Sequence, residues 1–240
     1  MTATLHVPTA VPAAGPTAQA PSGLLDRRPS RAGAVALVAG AALNTAQAVL
    51  MRTVGGGDTP AAKLADADAH PGLLLAMILG GMLGVVLLLV GLQHVAQVVR
   101  PHAPRTARVG SVLVFAGTLG FLGMHVLMLV TYALVGMDDR SAAVAVLEHL
   151  ETAPVLLVLV VPFLLGMFGG VATLTVGLLR SAGVPRWVPA CWALFLPLDL
   201  LAAGAGPVDP HWLFLAGAVG IALATRPATR PATRPATRKR

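Results

Sequence analysis

A single cysteine, Cys191, stands among the 240 residues, so neither an intramolecular disulfide nor a thiolate metal cluster can be built within one chain. Charge is scarce as well. Only 11% of the residues are Asp, Glu, Lys or Arg, too few to clothe a chain that is 56% hydrophobic, and the mean hydropathy of +0.78 places it in the membrane class. Catalytic signatures are missing too: there is no glycine-rich phosphate loop, no HExxH, no nucleophile elbow, and no soluble segment large enough to hold an active site. These absences point away from an enzyme and from a bound cofactor.

What is present is apolar length. A hydrocarbon core of about 30 Å needs roughly 20 helical residues, and six runs approach or exceed that: 32–51, 72–99, 109–136, 154–179, 187–203 and 207–224. The expected fold is therefore an all-α, polytopic bundle of six transmembrane helices over 31–224. The last two runs are short, carry Pro189 and Pro197, and share a Gly/Pro-rich connection, so a re-entrant hairpin is the alternative for them. Before the first run, Arg27, Arg28 and Arg31, with Ala46-Gln47-Ala48 beyond them, imitate a secretory leader. The long stretch ahead of them favours a retained span.

The basic residues set the orientation, because Lys and Arg accumulate on the cytoplasmic side. Of 17 Lys and Arg, only Arg52, Lys63 and Arg140 fall in the loops assigned to the outside, where Asp58, Asp66, Asp68, Asp138, Asp139, Glu148, Glu151 and Asp209 also lie. Basic and acidic loops alternate without a violation, which puts both termini inside. The formal charge of +7 is thus a topological signal and not a nucleic-acid footprint. Abundant Ala, Val, Gly, Leu and Pro, with Arg far above Lys, is the bias of GC-rich bacterial codons, so the expected location is a bacterial cytoplasmic membrane.

Both tails read as disordered. Residues 1–30 scatter Pro8, Pro12, Pro16, Pro21 and Pro29 among Ala and Thr, and 225–240 repeat the unit Ala-Thr-Arg-Pro, whose recurring proline forbids an α-helix. Arg226, Arg230, Arg234, Arg238, Lys239 and Arg240 would meet anionic lipid headgroups, at about 1 kcal/mol each.

Small residues mark the expected helix contacts, since lipid tails are as apolar as Leu and association depends on backbone approach. Ala32, Ala36, Gly40, Asn44 and Ala48 recur every four residues; Gly80 with Gly84, Gly117 with Gly120 and Gly123, and Gly166 with Gly170 form further pairs. The same faces would serve a homodimer or another membrane protein.

Polar residues within the runs fall into two groups by depth. Counting about 1.5 Å per residue from the nearest cytoplasmic arginine puts Asn44 and Asp199 near 20 Å, Gln47 near 24 Å and His125 near 26 Å, an outer cluster in which His125 is the expected partner of Asp199. Gln93, His94, Gln97, Thr173 and Thr175 form an inner group. His94 and His125 differ in depth by roughly 16 Å, too far to ligate one haem iron from opposite sides. In the outer loop, Asp66, Asp68 and His70 would share a face if the segment is extended, making a weak metal candidate beside Glu148, His149, Glu151, Asp209 and His211. The bland reading, that acids and histidines collect where basic residues are excluded, is preferred.

The functional expectation is a non-enzymatic accessory, assembly or sensing component. A small proton-coupled permease using the outer His/Asp site is the first alternative, and a membrane haem protein or enzyme the second. Reporter fusions after Lys63, Ser141 and Pro207 are expected to report the outer compartment, and those after His102, Ala182 and Thr225 the cytoplasm. A cytoplasmic signal at Ser141 would overturn the orientation.

Overall fold

The computed structural model describes residues 30–52, 54, 57–202 and 209–225. Both expected tails lie outside them, apart from Ser30 and Thr225, and so do the six tail residues assigned to lipid headgroups. Among the described residues the chain is all-helical. It comprises α1 (Arg31–Met51), α2 (Pro60–Ala69), α3 (Pro71–Val99), α4 (Pro104–Val135), α5 (Arg140–Thr152), α6 (Pro154–Leu179), α7 (Trp187–Ala202) and α8 (His211–Ala224).

Four of these, α1, α3, α4 and α6, are long and apolar enough to cross a membrane; α7 and α8 are apolar but have 16 and 14 residues. At about 1.5 Å per residue those two reach roughly 24 and 21 Å, short of the hydrocarbon thickness. Lipid contact is written in the exposed side chains. Leu79, Leu83, Val86 and Val90 form one helical stripe on α3, and Val112, Phe115, Leu119 and Val126 another on α4, both exposed. Patches of that extent are not left to water.

Helix starts follow local chemistry. Pro60, Pro71 and Pro104 occupy first-turn positions, where a missing N–H costs nothing. Ser30 Oγ accepts from Gly33 N at 3.0 Å, and Thr59 caps α2 by accepting from Ala62 N. Asp139 caps α5; the Ser141 hydroxyl and Ala142 N–H donate to its carboxylate and hold its pKa below the usual range. This cap is therefore intact at neutral pH and lost as pH falls through that lowered value.

The six apolar helices close into a ring in chain order: α1 packs on α3, α3 on α4, α4 on α6, α6 on α7, α7 on α8, and α8 back on α1. Helices α2 and α5 lie at the N-terminal end of α3 and the C-terminal end of α4 and touch each other. Leu64 of α2 packs there with Ala143 and Leu147 of α5, so α5 is docked against α2.

Glycine decides how closely the ring can draw in. A Cβ on Gly40 would stand 2.6 Å from Leu88 N and 3.0 Å from Gly84 O, so α1 and α3 meet backbone to backbone. Gly91 gives the same clearance to Leu37, and Gly117 and Gly166 face each other between α4 and α6. Two expected contacts differ. Gly80 has nothing within 4 Å of a built Cβ, and Ala32 is exposed. The α1–α3 contact runs instead through Gly33, Leu37, Gly40, Gly81, Gly84 and Gly91, a line rotated from the four-residue repeat because a straight helix has 3.6 residues per turn.

Gly40→Val forces a side chain into unyielding backbone and is expected to destabilise the protein by about 1–3 kcal/mol. Gly80→Ala should leave thermal unfolding in detergent unchanged or slightly raised. Equal losses at both positions would contradict the packing.

Candidate functional site

At the centre of the ring lies a cavity of about 50 Å³ to which all six apolar helices contribute. Asn44 comes from α1, Leu88 from α3, Phe121 from α4, Phe163 and Phe168 from α6, Phe195 and Asp199 from α7, and His211 and Phe214 from α8. Five of the six phenylalanines in the chain line it. Their rings form a continuous series: Phe121–Phe163 centroids are 4.7 Å apart, Phe163–Phe168 5.9 Å, Phe168–Phe195 6.5 Å and Phe195–Phe214 5.2 Å. Such contacts are worth about 0.5–1.5 kcal/mol each beyond the area they bury.

The polar end of the cavity is built by three helices. Asp199 on α7 lies 3.5 Å from His211 Nδ1, and the same nitrogen lies 2.8 Å from Asp209 Oδ1. His211 Nδ1–H thus donates chiefly to Asp209, which also accepts from His211 N at 2.9 Å. Asp209 is buried, and Arg52 at the end of α1 pairs with its second oxygen at 3.1 Å. Thr45 Oγ1 holds the corner by bonding Ala41 O and His211 O. Asp199 receives the longer share of the imidazole and keeps acceptor capacity facing the cavity. Its volume suits one or two water-sized species, each occupying about 30 Å³.

His125 is placed elsewhere. It is buried on α4, where Nδ1–H donates to Phe121 O at 2.9 Å and Nε2 accepts from Gln47 Nε2 at 2.8 Å. With both ring nitrogens occupied, His125 is not the partner of Asp199, which corrects the expectation from depth. Gln47 does join His125, across the α1–α4 gap, and the pair fits because Gly81 of α3 lies beneath it; a Cβ there would collide with both side chains. Residue counting yields depth but no azimuth. It also could not anticipate that His211 folds inward to Asp199 and Asp209.

The inner group does not form one cluster. Gln93 exchanges hydrogen bonds with Ser111 on α4, receiving from its hydroxyl and donating to its carbonyl. Thr173 and Thr175 bond back to Gly169 O and Val171 O within their own helix. Gln97 lies near the end of α3 with interactions of its own. His94 is buried against Gly33, its Nε2 lies 3.4 Å from Thr225 Oγ1, and its Nδ1 is the one buried side-chain polar atom without a partner among the described residues.

The metal candidate in the outer loop is corrected by the same local chemistry that starts α2. Thr59 and Pro60 begin a helix that carries Asp66 and Asp68, so these alternate residues do not share a face, and His70 is its C-terminal cap. No group of three or more His, Cys, Asp or Glu arranged to hold a metal ion occurs among the described residues.

The fold and cavity thus define an all-helical, membrane-embedded protein with an aromatic-walled centre carrying a carboxylate at one end. No protein-family model, curated protein or solved structure matches the chain.

Two pairs can be tested together. Gln47→Ala and His125→Ala should show a coupling of roughly 0.5–2 kcal/mol in a double-mutant cycle, whereas Asp199→Ala and His125→Ala should add. Coupling between the latter two would displace His211 as the partner of Asp199.

Proposed function

We propose that the chain is a non-enzymatic sensing or accessory component of a bacterial cytoplasmic membrane, crossing it six times with both termini inside. In this reading, the central cavity takes up a proton or a small polar species from the outer side. The observation that carries it is the meeting of all six apolar helices at one cavity beside Asp199. A change of charge there is felt by every helix at once. His211 and Asp209 face Asp199 from α8 and its approach, Arg52 faces Asp209 from α1, and Asn44 lines the cavity wall. Bringing or removing one proton within this group changes which carboxylate holds the imidazole, and with it the contact between α7 and α8.

One observation favours the permease as the second reading. Both helices that bring most of the cavity wall are interrupted beside it. Helix α6 contains Pro162 followed by a π-helical stretch at Phe163–Phe168, and α7 contains Pro197 two residues before Asp199. Interrupted helices at a binding site are a recurring feature of transporters, and π-turns collect at functional sites. The partner contacted by such a sensor would be a second copy or another membrane protein, and the basic segment 226–240 would rest on anionic lipid.

Cys191, the only cysteine, lies on α7 and offers a native reporter. In proteoliposomes with the interior held at pH 7 and a maleimide supplied there, its labelling rate is expected to differ between outer pH 5 and pH 8, and Asp199→Asn should flatten that difference. A pH-sensitive dye sealed inside the vesicles should stay silent; a response that Asp199→Asn abolishes would select the permease. An unchanged pH dependence of labelling in Asp199→Asn would remove the site from the function altogether.

A further inference from the structure

A second cavity, independent of the ring centre, lies under the two outer helices. It measures about 230 Å³ and is walled by Met51, Met77, Met124, Met128, Leu127 and Leu150, among other apolar side chains. Four of the eight methionines of the chain meet there. Lys63, Glu151 and Thr131 are its only polar lining residues among those described. Lys63 Nζ pairs with Glu151 Oε1 at 2.7 Å, and the Thr131 hydroxyl bonds Leu127 O at 3.4 Å, so each polar group is already matched within the protein.

We propose that this cavity is a binding site for a neutral, apolar molecule or chain segment of roughly nine heavy atoms. The size follows from comparison with an apolar protein cavity of about 150 Å³, which accepts benzene and stays dry without it. A lining with no unmatched donor or acceptor gives water nothing to hold and gives a charged ligand no counter-ion. Methionine suits the role, because its unbranched thioether side chain reshapes around differing apolar guests.

The lid has a weak clasp. Lys63 belongs to α2 and Glu151 to α5, and their pair joins the two helices across the cavity edge with both side chains about one third exposed. Exposed ion pairs contribute little, so the edge spanned by Lys63 and Glu151 can open to admit a guest at small cost while Leu64, Ala143 and Leu147 stay packed. Two sources supply the same chemistry, a free hydrocarbon-like solute and an acyl chain of the surrounding bilayer.

Methyl-labelled methionine NMR on the full chain in nanodiscs tests the site, with n-propylbenzene as the probe. Met51, Met77, Met124 and Met128 are expected to shift saturably, while Met167, in the central cavity, and Met137 stay still. Cross-relaxation from lipid methylenes to the four methyls before the probe is added would identify a bilayer chain as the resident. Its absence, with saturable binding, would identify a free solute. Leu150→Trp, which fills the space, should abolish the shifts while leaving Met167 unchanged as a sign of an intact ring. Non-saturating shifts at all methyls would reduce the effect to partitioning and overturn the proposal. So would equal shifts with charged 3-phenylpropanoate, or shifts that survive in a folded Leu150→Trp protein. None of these outcomes depends on Asp199 or the central cavity.

Discussion

Everything in this ring depends on backbones touching where side chains are absent. Hydrocarbon gives two apolar helices no reason to prefer each other over lipid, so dispersion at short range must hold them. Gly40 against Leu88 and Gly84, Gly91 against Leu37, and Gly117 against Gly166 supply that range. The same approach places the polar groups. Gln47 reaches His125 because Gly81 leaves the space between them empty, and His94 is seated over Gly33 in the same way. Two histidines deep in an apolar chain are thus each accommodated by a glycine on the neighbouring helix.

Aromatic content follows a similar economy. With only six phenylalanines, the chain places five around one cavity and leaves Phe115 to face lipid. From His125 through Phe121, Phe163, Phe168 and Phe195 to His211, each ring lies 4.7 to 6.5 Å from the next. The buried Gln47–His125 pair and the Asp199–His211–Asp209 group are consequently joined by a packed series of rings. Movement at either end must be absorbed by stacked aromatics, which do not compress.

Much of the architecture was legible in the sequence because it is governed by one variable, apolar length. The helices α1, α3 and α6 begin and end within a residue of the expected runs, and α4 begins earlier because Pro104 starts a helix through the basic segment that hydropathy alone excludes. Pairings were less legible. Depth counted from the arginines at the helix ends put Gln47 near His125, but it assigned Asp199 the wrong imidazole, since helix rotation leaves no trace in a residue count. The weak metal candidate at Asp66 and Asp68 depended on an extended segment, and the Thr59 cap and Pro60 dictate a helix there instead. The aromatic cavity carried a signal that was available and unused: the rarity of phenylalanine made its distribution informative.

Ring closure has a consequence for the order in which the molecule comes into being. Neighbours in the ring are neighbours in the chain except at one seam, where α8 meets α1. Until α8 is synthesised, α1 has an unfilled flank, Thr45 lacks its bond to His211 O, and Asp199 lacks the imidazole beside it. The cavity is therefore assembled only once α8 has been made, and until then the Asp199 carboxylate and Asn44 lack the wall that His211 and Phe214 provide. Helix α8, only 14 residues long, is thus the keystone of the ring, closing the seam between α7 and α1 and completing the polar corner in one step.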